Sequence, residues 1–157
     1  MTPAIRTVTP ADLPGARAVI GANGLFPPEM LDGMIGGFLS GTADEVWLTI
    51  GSDADAVAGL VYAAPERLTD GTWNALLLAV HPEHQRRGLG AALMHAAEAM
   101  LAARGARLLL VETSGLPDFD GTRRFYARIG YGEEARIRGF YAAGEDKIVF
   151  RKPLPPS

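Results

Sequence analysis

The segment Val80-His81-Pro82-Glu83-His84-Gln85-Arg86-Arg87-Gly88-Leu89-Gly90-Ala91 holds the residue types that bind a phosphate. Two glycines at a helix start let an anion approach the backbone, and the amides of a first helical turn have no intrahelical partner. Those amides, aided by a helix dipole worth roughly half a positive charge, can hold phosphate oxygens. Arg86 and Arg87 add full charges beside them. A capped helix with solvated arginines would use the same residues, but the order strand, basic loop, helix favours the phosphate reading. The dinucleotide fingerprint is not met, because Leu93 stands where its third glycine or alanine is required. Nor is there a P-loop lysine, since the only lysines are Lys147 and Lys152. A phosphate carrier other than NAD or a hydrolysed nucleotide is expected.

Composition sets the frame for that loop. The chain has 157 residues, 48% hydrophobic and 21% charged, which is the size and make-up of one globular domain spanning 1–157. With 15 Lys plus Arg against 18 Asp plus Glu, the net charge of -3 argues against a nucleic-acid partner. Cysteine is absent, which excludes disulfides, thiolate metal sites and a cysteinyl acyl intermediate. No stretch approaches the roughly 18 apolar residues of a membrane span, and the first thirty residues carry Arg6, Asp12, Arg17 and Glu29 without a signal-peptide core. A cytoplasmic protein without a membrane partner is the expectation. His81, His84 and His95 have no ligand spacing supported by a carboxylate, so all three read as surface residues and no metal is expected.

The elements that must position the loop follow from periodicity. Residues 4–8 are short and partly β-branched, then Thr9-Pro10-Ala11-Asp12 reads as a helix N-terminus, with Leu13, Ala16 and Ile20 facing inward. Met30, Met34, Ile35 and Phe38 recur at helical spacing, in a helix loosened by Gly33, Gly36 and Gly37. Strands are expected over 46–50 and 57–64, joined by the turn Gly51-Ser52-Asp53-Ala54-Asp55, and over 73–80. The run Ala75-Leu76-Leu77-Leu78-Ala79-Val80 fits a central strand covered on both faces. A helix over 88–104 then places Leu89, Leu93, Ala96, Met100 and Leu101 on its buried face, with His95, Glu98 and Ala102 on the other. With another apolar strand over 108–113, this is a right-handed βαβ crossover that makes two strands parallel. A last helix over 122–129, capped by Asp120, precedes strands over 134–140 and 147–152, and the tail from Pro153 reads as frayed. The sum is an α/β (α+β mixed) fold: a sheet of six or seven strands with a central parallel pair and helices on both faces.

Gln85-Arg86-Arg87-Gly88-Leu89-Gly90 resembles the pyrophosphate signature of the GCN5-related N-acetyltransferase (GNAT) superfamily, and Phe125-Tyr126-Ala127-Arg128-Ile129-Gly130-Tyr131 is similar to its later aromatic segment. The likeness runs from about Ile5 to Leu154. It implies acetyl-CoA as cosubstrate, lying where the parallel strands diverge, with pantetheine on the backbone of Leu78, Ala79 and Val80. Its pyrophosphate would meet Gln85, Arg86, Arg87, Gly88, Leu89, Gly90 and Ala91. Ligands beyond the carboxyl ends of parallel strands are the physical expectation as well. Phe119 stands where relatives often carry a cofactor-touching Asn, and Arg123 and Arg124 are either 3′-phosphate contacts or a solvated helix face.

The implied activity is N-acetyl transfer to a primary amine of a small molecule or peptide by direct attack in a ternary complex. An amine of pKa near 10 must lose a proton before attack. Glu112, a lone carboxylate ending Leu108-Leu109-Leu110-Val111, matches the glutamate base of several relatives, with a strand-end ion pair as its other reading. Asn74, Glu66 or a water chain could substitute. Tyr126 matches the tyrosine that protonates the leaving thiolate, its other reading being a core aromatic. A backbone amide near Leu78 or Ala79 would meet the oxyanion. The acceptor site implied is 26–38 with 140–145, where Glu29 and Asp32 would draw a cationic amine and Phe140 and Tyr141 would wall its chain. A noncatalytic acyl-CoA-binding sensor or partner domain on the same fold is the alternative, and similar proteins often form homodimers through the late strands.

Overall fold

A computed structural model describes residues 4–52 and 55–156. The elements in chain order are β1 (Ile5–Thr7), α1 (Leu13–Asn23), α2 (Leu31–Leu39), β2 (Val46–Ile50), β3 (Gly59–Pro65), β4 (Thr72–Val80), α3 (Leu89–Ala103), β5 (Leu108–Ser114), α4 (Asp120–Arg128), β6 (Gly132–Ala142) and β7 (Glu145–Pro153). They form one sheet of order β1-β2-β3-β4-β5-β7-β6, in which the pair β4–β5 is parallel and the other neighbours are antiparallel. Of the turn expected between β2 and β3, Asp53 and Ala54 lie outside the described residues. Among the described residues no helix is long and apolar enough to cross a membrane.

Side chains alternate across a strand, so each strand feeds two cores. Val46, Leu48, Ile50, Val61, Ala63, Leu109 and Val111 join Leu93, Met94, Ala97 and Leu101 of α3 and Tyr126 of α4. Trp47, Leu60, Tyr62, Leu77 and Ala79 join Ala16, Val19 and Ile20 of α1 and Leu31 and Ile35 of α2 on the opposite face. A capping box, in which the Thr9 amide donates to Asp12 Oδ2 at 2.8 Å and Thr9 Oγ1 lies 3.1 Å from it, starts α1 through one 3-10 turn.

Several sequence expectations are corrected. Strand β3 starts at Gly59, not residue 57, and α4 starts at Asp120 with Phe119 as its cap. The continuous apolar run of β4 is not buried throughout, because Leu76 is 52% exposed. Tyr62 faces Leu77 and Ala63 faces Ala75, which leaves Leu76 as the extra residue of a β-bulge that turns its side chain outward. Glu98 and Ala102 are buried rather than solvated, Glu98 accepting hydrogen bonds from Tyr131 Oη at 2.6 Å and Lys152 Nζ at 2.8 Å. His84 is not a surface residue, for it is buried with Nε2 2.9 Å from Asp55 Oδ2. The tail is anchored at Leu154, whose side chain is buried and whose amide donates to the Arg107 carbonyl at 2.8 Å.

Candidate active site

Strands β4 and β5 pair only over Thr72–Ala75 and Leu108–Val111, then separate, although β4 continues to Val80 and β5 to Ser114. The bulge at Leu76 falls at the point of separation, where added twist bends β4 away from its neighbour. Past that point β4 is held on one side only. His81 N donates to Ala58 O of the β3 side at 2.8 Å, and backbone groups alternate sides along a strand, so Leu77 and Ala79 face β3. Leu78 and Val80 face the gap. Val80 O is engaged by Asn23 Nδ2 and Gln85 Nε2, each at 3.0 Å, which leaves the Val80 amide and both polar groups of Leu78 toward the wedge.

The loop at the wedge mouth is shaped by two left-handed residues, Arg86 at φ 65° and Gly88 at φ 78°. Gly88 caps α3, and the first intrahelical bond runs from Ala92 N to Gly88 O at 3.0 Å, so the amides of 88–91 have no helical acceptor. Arg86 and Arg87 are exposed and form no ion pair among the described residues. Leu89 is buried and anchors the helix start. At Gly90 a Cβ would lie 3.4 Å from Phe125 Cζ, an ordinary contact distance, so the ring packs close over the glycine. The Gln85 side chain is a strut, reaching Val80 O and Asn23 Oδ1, the latter at 3.2 Å.

Tyr126 is buried among Phe125, Tyr131 and Phe150, at ring-centroid distances of 5.2, 5.8 and 6.0 Å. Burial pushes its phenol up to about 12, so it stays protonated at neutral pH. Glu112 lies on the opposite sheet face, one residue past the last β4–β5 pair. Its Oε1 is 3.0 Å from Lys147 Nζ and its Oε2 accepts from Asn74 Nδ2 at 3.1 Å. The same Asn74 nitrogen donates to Glu66 Oε1 at 3.0 Å. The three base candidates therefore form one hydrogen-bonded cluster.

Lys147 also lies 3.6 Å above the ring of Phe140, which stacks edge-on against Tyr141 at 5.1 Å. Burial and the nearby charges of Glu112 and Glu145 raise the Tyr141 phenol. Phe140 and Tyr141 are thus brought beside Glu112, through Lys147. Glu29 is exposed in the turn before α2, and Asp32 is paired with Arg17 at 2.6 Å. Arg123 donates to the carbonyls of Ser114 at 2.6 Å and Leu116 at 3.0 Å, which ties down the β5–α4 loop, whereas Arg124 pairs with Asp120 at the surface. Sequence reasoning missed Lys147 and Asn23. Both act across more than thirty residues of chain, so no local spacing signals them. Among the described residues no group of three or more His, Cys, Asp or Glu could hold a metal ion.

The family model of the acetyltransferase (GNAT) domain matches residues 43–133. A GNAT-family protein from Desulfovibrio desulfuricans is 32% identical over 98% of this chain and 100% of its own, with a TM-score of 0.90. The ribosomal-protein-S18-alanine N-acetyltransferase of Escherichia coli superposes at TM-score 0.78 and 21% identity, over 99% of this chain and 96% of its own. A Salmonella typhimurium protein solved with its cofactor acetyl-CoA does so at 0.77 and 17%, over 100% and 96%.

Proposed function

The chain belongs to the GNAT acetyltransferase family, and on that premise we propose that it moves an acetyl group from acetyl-CoA to a primary amine of a small molecule or peptide. The observation that carries this reading is the wedge: a strand pair that separates at a bulge, opening onto a helix start with four amides that have no helical acceptor. Those groups suit the cosubstrate. The amides of 88–91, with Arg86 and Arg87 beside them, would hold the diphosphate. Leu78 and Val80 offer backbone groups to the amide-bearing pantetheine arm, while Ala79 offers none, because its peptide faces β3 and its side chain lies in the α1–α2 core.

Two protons leave the nitrogen of a protonated amine: one passes to Glu112 before attack, and the other, lost as the amide forms, balances the proton gained by the CoA thiolate. Glu112, 3.0 Å from Lys147 Nζ, is the acceptor for the amine proton. The amine lone pair then forms the N–C bond as the thioester C–S bond breaks. Tyr126, protonated at neutral pH, donates a hydrogen bond to the leaving sulfur. Full proton transfer from a phenol at about 12 to a free thiolate, whose thiol has a pKa of about 8.5, is uphill by about 5 kcal/mol. The transfer completes only to the extent that the same dry surroundings raise the proton affinity of the sulfur.

Thermal stabilisation by CoA followed by free-thiol release from acetyl-CoA across an amine panel tests the reading. Tyr126→Phe and Glu112→Gln should each lower turnover about 100-fold or more while CoA affinity stays within threefold. CoA binding with no thiol release for any amine would favour the noncatalytic alternative.

A further inference from the structure

One polar atom beside the wedge is left without a role by the reading above. Asn74, 3% exposed, lies in the last-but-one β4–β5 pair before the strands separate. Its Nδ2 donates to Glu66 and Glu112, which fixes the orientation of the carboxamide, and its Oδ1 is buried with no hydrogen-bond partner. Buried carbonyl oxygens in folded proteins nearly always have a donor, so an orphan needs an explanation.

The neighbours indicate which donor is missing. Glu66 and Glu112 bring two negative charges and Lys147 returns one, while no cation pairs with Glu66 among the described residues. The cluster therefore has one uncompensated negative charge and one unfilled acceptor. Water supplies donors without charge. An alkylammonium supplies both, with one positive charge and three N–H donors. Phe140 and Tyr141, linked to Glu112 through Lys147, would face the hydrocarbon portion of such a ligand.

Resting on the acetyl-transfer reading, we propose that Asn74 and Glu66 form a cradle for the acceptor's ammonium group, so that acceptors are alkylamines that arrive protonated, not arylamines, which are neutral at pH 7. Glu66 is half-buried in the hairpin after β3, and docking requires it to exchange its Asn74 contact for the ammonium. The docked ammonium donates to Oδ1 and Glu66 and passes its third proton to Glu112. That leaves a neutral amine and a carboxylic acid, with charge and protons balanced.

Calorimetric titration of the CoA-loaded protein with n-butylamine and with aniline tests this, with CoA stabilisation measured first in each variant. Wild type should bind n-butylamine more tightly than aniline. Asn74→Leu and Glu66→Gln should each weaken n-butylamine binding at least tenfold while CoA stabilisation is kept. Glu66→Gln also tests the idea should Asn74→Leu fail to fold. The cradle is overturned if n-butylamine does not bind wild type, if aniline binds as tightly, or if Glu66→Gln leaves the amine affinity unchanged while CoA still binds. Failure of CoA to stabilise the wild-type protein would instead overturn the acetyl-transfer reading, and the cradle with it.

Discussion

Gly88 and Gly90 occupy the same signature for different physical reasons, and alanine at each should separate them. Gly88 has a φ of 78°, and a Cβ there meets nothing within 4 Å, so its substitution is opposed by backbone strain alone. That strain is about 1–2 kcal/mol for an L-residue in the left-handed region, or roughly 2–8 °C of Tm at this chain length. Gly90 has ordinary helical backbone. Alanine there gains up to about 1 kcal/mol of helix propensity, against a 3.4 Å contact with the Phe125 ring, so its Tm should hold or rise slightly. The second arm of the experiment is ligand stabilisation. CoA at about 100 times its Kd stabilises by about 2.7 kcal/mol. Relaxing the backbone at 88 would re-aim the amides, and a tenfold weaker Kd removes about 1.4 kcal/mol of that. Melting curves of wild type, Gly88→Ala and Gly90→Ala, alone and with CoA or pantetheine, measure both effects. The reasoning is refuted if pantetheine, which lacks the diphosphate, stabilises as well as CoA, or if Gly90→Ala is the more damaging substitution.

Two further outcomes are expected. Because burial raises Tyr126 from 10 to about 12, the folded state holds its proton more tightly than the unfolded chain does. The stability this contributes is complete below pH 10 and lost as pH rises through 12, about 2.7 kcal/mol in all. Urea unfolding of Tyr126→Phe between pH 9 and 11 should show a shallower decline than wild type, and parallel curves would count against it. Glu98→Ala leaves Tyr131 Oη and Lys152 Nζ without their shared carboxylate, although Lys152 retains the Ile129 carbonyl at 2.9 Å. A loss of about 2–3 kcal/mol in urea unfolding is expected, with much of it recovered in Glu98→Leu/Lys152→Met. A loss below 0.5 kcal/mol would show that the cluster is solvated.

What could be read from the residues was the local part. Val46–Ile50 is β-branched and apolar and forms β2 at the expected residues, and the order of β4, α3 and β5 follows from a change of period between 2 and 3.6. The turn at Gly88 was legible because glycine marks positive φ; Arg86, in the same conformation, carries no such mark. A polar residue on a helix or loop reads as facing solvent, which fails at Glu98 and His84 because their partners Tyr131, Lys152 and Asp55 are remote in sequence. The bulge at Leu76 was invisible because nothing in an unbroken apolar run shows which residue is unpaired. At the candidate site the sequence offers Glu66, Asn74 and Glu112 only as separate candidates. Their joining depends on the β3–β4 hairpin and the β4–β5 register, which composition does not reveal.

The β4–β5 seam also bears on how the chain folds. β2, β3 and β4 form an antiparallel meander and β6 and β7 a hairpin, whereas the seam is stitched by four residue pairs across the α3 crossover. Contacts that close loops this long, the β1–β2, β4–β5 and β5–β7 pairings alike, form late, because the entropy of closure precedes their reward. The cleft is the unstitched continuation of that seam, so a nascent chain with both halves structured but not yet joined has no binding surface. Competence for ligand then waits on one of the late, long-range steps of folding.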